Sequence, residues 1–473
     1  MKATTTRGIG ILPLLLVSAV LAEPLPATDT AAVQDLLQRL DERQRQLDIQ
    51  QQELEVLKRE LRGELVRMKE ARQAAAVAPP KTEPVVVAAT AQSGKKREQG
   101  LELSGYGIVN YINRDWDTDQ FAKDTFNLAR FVLEMEYAFS DQWSFKAEIE
   151  FEHGGAGAAL ELDTQEEFGE FDADILKGGE IYVEQLYVAY RHRDWLNARF
   201  GHFIVPVGRT AKHHKPGDYF TVERSAADAA MLPLLWHESG VALFGTVADF
   251  SYELQVVNGL DSSGFSSANW VARGHQQKFE EARAEDLAFV ARLDYQPTAN
   301  LQIGGAFYTG NSANNRPKDD LNVDAWVTIV GLDGAWTPGD FIFRGQYLYG
   351  KLQNSHLVSE ANRNLSNNLG AKRTPVAHES QSWFVEGGYD VLGLAQTTQK
   401  LIVFSRYDNY DSMFAVEGGV FKNPRWDRSS WTVGLNYMPL PSLVFKAEYN
   451  DRTLNIDELN REKTFALGVG FTY

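Results

Sequence analysis

Phe465-Ala466-Leu467-Gly468-Val469-Gly470-Phe471-Thr472-Tyr473 ends the chain, and its alternation decides the fold. Large apolar side chains occupy the odd positions, with only Ala, Gly, Gly and Thr between them. Successive side chains of a strand point to opposite faces, so all five large residues share one face. The same period recurs from about residue 101 onward. Phe131, Leu133, Met135, Tyr137 and Phe139 oppose Arg130, Glu134 and Glu136; Trp143, Phe145, Ala147, Ile149 and Phe151 oppose Lys146, Glu148, Glu150 and Glu152. A carboxylate at every second position cannot sit in a dry core, because each unpaired buried charge costs several kcal/mol. It can line water. The pattern therefore predicts an all-β transmembrane barrel with an apolar outside and a wet inside.

Sixteen candidate antiparallel strands fall at 101–112, 126–139, 143–153, 180–190, 195–203, 238–247, 250–259, 286–296, 300–310, 324–336, 340–350, 380–390, 399–408, 428–438, 442–452 and 463–473. Their connections alternate short and long. Ser140-Asp141-Gln142, Pro338-Gly339 and Pro439-Leu440-Pro441 are short; 154–179, 204–237 and 260–285 are long. An even-stranded barrel gives this alternation when both ends of the chain lie on the short-turn, periplasmic side. Sixteen strands leave an aqueous channel rather than a filled interior. Trp143, Trp195, Tyr437 and Tyr473, near strand ends, suit interfacial aromatic girdles.

The N-terminal part points to the same compartment. Lys2 and Arg7 precede an apolar run from Ile9 to Leu21, and Val20-Leu21-Ala22 offers a cleavage site, so residues 1–22 read as a secretory signal peptide. Val33, Leu40, Leu47, Leu54, Leu61 and Met68 stand seven apart, which predicts a coiled coil over 31–73. The companion positions mix Leu36 and Leu57 with Arg43, Gln50 and Glu64, and a single solvated amphipathic helix is the competing reading. Pro79, Pro80 and Pro84 make 74–100 a linker to the barrel domain, 101–473.

Composition narrows the functions. The chain has no cysteine, so neither disulfides nor thiolate metal sites are available. A net charge of −17 argues against nucleic acid as a partner. No Gly-x-Ser-x-Gly elbow, His-Glu-x-x-His or phosphate-cradling glycine loop stands in a suitable context, so no catalytic residues, enzyme activity or cofactor are expected. His213-His214 are adjacent loop histidines without further ligand spacing, and no metal is assigned to them.

The stretch Arg199-Phe-Gly201-His-Phe203-Ile-Val-Pro206-Val-Gly208-Arg209 resembles the phosphate-selective porin O and P family. So do Val256-Val257-Asn258-Gly259 and the Glu-x-x-Tyr-Val pattern at Glu184–Val188. The resemblance covers the barrel. It implies a sixteen-stranded homotrimeric porin whose third long loop, here Ile204 to His237, folds into the channel. A periplasmic coiled coil also occurs in related trimeric porins that take dicarboxylates.

In that loop Arg209, Lys212, His213, His214 and Lys215 form the most basic cluster of the barrel, either a pore constriction or a solvated loop. Parity assigns Arg130, Lys146, Arg199, Arg292, Arg344, Arg406, Lys446 and Arg452 to the lumen, where the family's basic ladders guide anions. Glu134, Glu136, Glu148, Glu150, Glu152, Glu184, Asp294, Glu386, Asp408 and Glu448 share that face, so both an anion and a cation preference stay open. Seven carboxylates between Glu161 and Asp174 read as a self-repelling surface loop or a latch onto a neighbouring subunit. The expectation is a bacterial outer-membrane porin for passive diffusion of small hydrophilic solutes, with anions such as phosphate or carboxylates preferred. Its surroundings would be outer-membrane lipid, and its C-terminal strand ending at Tyr473 would engage the barrel-assembly machinery. The alternative is a structural tether whose periplasmic coiled coil binds the cell wall or a partner.

Overall fold

The computed structural model describes residues 100–473 apart from 158–160, 168–169, 175–178, 277–280, 366–372 and 396. The expected signal peptide, coiled coil and linker up to residue 99 lie outside the described residues.

Sixteen strands close into an antiparallel barrel: β1 (Leu101–Trp116), β2 (Thr125–Ala138), β3 (Trp143–Gly157), β6 (Gly179–Arg193), β7 (Leu196–Ile204), β8 (His237–Val247), β9 (Phe250–Asn258), β10 (Leu287–Thr298), β11 (Leu301–Asn311), β12 (Trp326–Trp336), β13 (Phe341–Leu352), β14 (Glu379–Asp390), β15 (Lys400–Ala415), β16 (Asp427–Leu440), β17 (Leu443–Leu454) and β18 (Arg461–Thr472). Each of the sixteen expected spans overlaps one of them. β4 (Glu161–Glu167) and β5 (Glu170–Asp174) form a separate hairpin within the acidic loop, which the sequence did not suggest. The surroundings of its carboxylates lie outside the described residues.

The last nine residues make the seam. β18 pairs with β1 from Tyr106↔Thr472 to Trp116↔Glu462, and Tyr473 and Gly105 exchange two backbone hydrogen bonds of 3.0 Å. Phe465, Leu467, Val469 and Tyr473 are exposed on the outer face. Inside, the small residues make a seat: a Cβ on Gly468 would touch Val222, and one on Gly470 would collide with Pro216. The glycines of the alternation are therefore clearance for a loop that enters the barrel.

Strands outlast the expected spans at the long-loop end. β15 runs to Ala415, and β1 runs to Trp116 and β17 to Leu454, the last two shortening the first long loop to 117–124 and the last to 455–460. The turn 391–399 at the other end is longer than either. Above β9–β15 the loops pack on one another around Trp270, Val358, Val376, Met413 and Trp426. Arg316 ties three of them, donating to Asp320 at 2.7 Å, Asn362 at 2.8 Å and Ser262 at 3.3 Å. That roof includes a helix, Ser355–Arg363, unforeseen in the loop 351–379.

Candidate functional site

The third long loop, 205–236, leaves β7 and crosses the inside of the barrel. Gly208, at φ +81°, makes the turn that a residue with a Cβ adopts only under strain. Arg209 then donates its backbone N–H to Gln346 of β13. Wall side chains hold the rest of the crossing. Lys446 Nζ donates to the carbonyls of Tyr219 and Thr221, both at 2.8 Å, and Asn436 to the carbonyl of Phe220 at 3.1 Å. Glu448 accepts from the N–H of Val222 at 2.8 Å. Ser225 caps the helical turn Ala226–Ala229 and accepts from Arg406 Nη2 at 2.8 Å. A segment with this many bonds to β13 and β15–β17 is part of the wall's architecture rather than a solvated loop.

The basic cluster divides. Lys212 is paired with Asp294 of β10, and Lys215 with Glu134 of β2 at 2.8 Å. His213 and His214 are neutral. Burial, then Arg209, Arg292, Arg344 and Lys212, holds His213 down at about 3; burial, then Arg224, Lys146 and Lys215, depresses His214 as well. The five expected cations are thus three, and two of those are spent on wall carboxylates. Arg209 reaches Asp333 only at 4.0 Å and lines a small gap together with His213.

The wall cations point inward and are largely neutralised. Arg130 meets Glu150 at 3.2 Å, Lys146 meets Glu148 at 3.5 Å, and Arg199 meets Glu253. Arg292 lies 2.7 Å from Asp294 and 2.9 Å from Asp333. Arg344 and Arg406 share Glu386 at 2.9 and 3.0 Å; Arg406 also binds Asp408 at 2.6 Å, and Arg452 pairs with Glu462. Lys446 is occupied by loop carbonyls. An uninterrupted basic ladder is absent among the described residues, because register sets a carboxylate beside nearly every cation.

Two arginines outside the expected set change the balance. Arg224, in the loop and 9% exposed, donates to Tyr106 Oη at 3.0 Å; Arg114, on β1, donates to the carbonyl of Lys123 at 2.7 Å and to Thr125 at 3.1 Å. Among the described residues neither has a carboxylate within ion-pair distance. A cavity of about 190 Å³ lies toward the long-loop end, between loop residues 221–226 and the wall of β1 and β15–β18. Its guanidiniums are Arg114, Arg224, Arg406 and Arg452, against the carboxylates Glu223, Asp408 and Glu448. The smaller gap, lined by Arg209, His213, Asp218 and Glu386, meets it at Arg224, Ser225 and Arg406.

Parity would have found Arg114 and Trp116, since Tyr106, Ile108 and Ile112 already mark the inward face of β1, but the strand was expected to stop at 112. Arg224 carried no such signal: it is a lone arginine next to Glu223.

Comparison with known proteins follows the same line. A profile described as "Phosphate-selective porin O and P" matches residues 109–473. A protein of Aquifex aeolicus (strain VF5), itself described as uncharacterized, is 27% identical over 358 residues, covering 74% of this chain and 76% of that one. OmpF of Salmonella typhi, solved in complex with daunomycin, covers 80% of this chain and 100% of its own at 11% identity, with a TM-score of 0.50. An anion-selective porin from Comamonas acidovorans covers the same shares at 9% identity and a TM-score of 0.45.

Proposed function

We propose, starting from the fact that this chain belongs to the phosphate-selective porin O and P family, that its barrel lets small hydrophilic anions diffuse passively through the throat at Arg224 and Arg406. Family and fold make it an outer-membrane channel, not an enzyme. The selectivity is our reading, and one observation carries it: the unpaired Arg224 guanidinium stands where the two cavities meet. A chain of net charge −17 thereby places more cations than carboxylates around its larger cavity. An anion there meets a guanidinium that no carboxylate pairs directly, although Glu150 and Glu184 act on it from further off, while mixed charges above and below keep each site weak enough to leave.

In this reading the long-loop end faces outward and the short-turn end the periplasm. The active unit is a homotrimer, and the strand ending at Tyr473 is what the assembly machinery engages. The test is single-channel recording of the mature protein in a planar bilayer. We expect a reversal potential in a KCl gradient that reports anion preference, and block of chloride current by phosphate or a dicarboxylate. Cation selectivity would overturn the reading.

A further inference from the structure

The lining of the larger cavity is as much hydroxyl and amide as it is charge. Thr432 accepts from Asn450 Nδ2 at 2.8 Å and Thr464 accepts from Trp116 Nε1 at 3.0 Å, so each threonine keeps its own hydrogen to donate. Asn450 keeps its carbonyl oxygen as an acceptor. Ser430 lies on the same wall. Facing them, Arg224 and Arg114 keep free N–H groups, and Glu223 and Glu448 offer carboxylate oxygens. Trp116 acts as a positioning residue, with the guanidiniums of Arg114 and Arg452 at 5.6 and 5.3 Å from its ring.

Resting on the channel reading above, we propose that this cavity is a binding site for a singly charged, polyhydroxylated anion such as a sugar acid. The charge balance selects the single charge. Four guanidiniums, Arg114, Arg224, Arg406 and Arg452, line the cavity against three carboxylates, Glu223, Asp408 and Glu448, a surplus of one positive charge. A phosphate dianion or a dicarboxylate adds a second negative charge that a surplus of one does not answer. A neutral sugar leaves the guanidiniums unmatched. A hydroxy acid sets its carboxylate on Arg224 or Arg114, and its hydroxyls, each donor and acceptor, match a wall that alternates the two. The cavity of about 190 Å³ holds roughly six waters at ~30 Å³ each, and the hydroxyls of one such solute take over their hydrogen bonds.

The experiment compares sodium gluconate, phosphate and succinate as blockers of chloride current through the full-length mature channel, added from the long-loop side at matched ionic strength. Gluconate is expected to interrupt the current at a concentration about tenfold below either dianion. In Thr432→Val and in Asn450→Leu the ratio of gluconate to phosphate blocking concentrations should rise about tenfold. Block by phosphate or succinate at or below the gluconate concentration overturns the inference and leaves the anion channel standing. So does a ratio unmoved in both variants, and so does a conducting channel that gluconate never blocks. Cation selectivity or absence of conductance overturns the channel reading itself.

Discussion

Replacing Arg224 by Gln removes one unpaired positive charge from the throat while keeping a side chain able to bond Tyr106. An ion at about 4 Å from that charge interacts with it by ~1 kcal/mol at the dielectric of water and ~4 kcal/mol at an effective dielectric near 20. The water limit alone is about fivefold in an anion's barrier, with an opposite change for a cation. Screening reduces both, since the Debye length is about 10 Å at 0.1 M salt and 3 Å at 1 M. At 0.1 M the anion-over-cation permeability ratio, read from the reversal potential in a KCl gradient, should fall at least about fivefold, and less at 1 M. Lys212→Gln and Lys215→Gln remove the same formal charge, but from ion pairs that line neither cavity. Each should move the ratio less than about twofold. A reversal potential equal in wild type and Arg224→Gln, or a larger effect from either lysine, would refute the argument that an unpaired charge at the junction sets selectivity.

Three further outcomes are expected. His213→Asn should leave the pH profile of selectivity between pH 7.5 and 5 identical to wild type, because burial and the neighbouring arginines keep His213 neutral until about pH 3; a divergence near pH 6.5 would show a charged histidine. The same depressed value has a stability sign. Between about 6.5 and 3 the unfolded histidine takes up a proton that the folded one refuses, so acid lowers stability in that window, and His213→Asn should show a smaller acid-induced drop in unfolding midpoint. Gly470→Val should force the loop off its seat at Pro216, costing ~1–3 kcal/mol and lowering the thermal midpoint by roughly 2–10 °C, with an altered single-channel conductance as the companion reading. Deletion of residues 31–73 should leave conductance per pore unchanged; loss of the channel would instead favour a structural role for that segment.

Much of the barrel was legible because lipid and water impose opposite demands on alternate residues. Where that demand stops, the signal stops. Asn113 and Asp115 on β1, and Asn409 and Asp411 on β15, break the apolar row, yet pairing continues through them, so both strands run further than expected. The hairpin β4–β5 is hard to see for a related reason: its acidic residues alternate with only Leu162, Phe171 and Ala173, too short a row to mark a face. The site was only half legible. Parity places a cation on the inner wall but says nothing about its neighbour across the ladder. That Arg292 lies between Asp294 and Asp333 depends on three adjacent strands coming into register. Arg224 has no direct ion-pair partner among the described residues, with Glu150 and Glu184 acting on it only from further off, a fact that belongs to the folded loop alone.

The seat formed by Ala466, Gly468 and Gly470 ties the placing of the inserted loop to the completion of the wall. The loop at 205–236 is made long before the last strand, yet it rests against the last residues of the chain. Until those residues pair with β1 the wall has a gap and the loop has no backing on that side. The docking of the terminal strand therefore both shuts the seam and gives the inserted loop its backing.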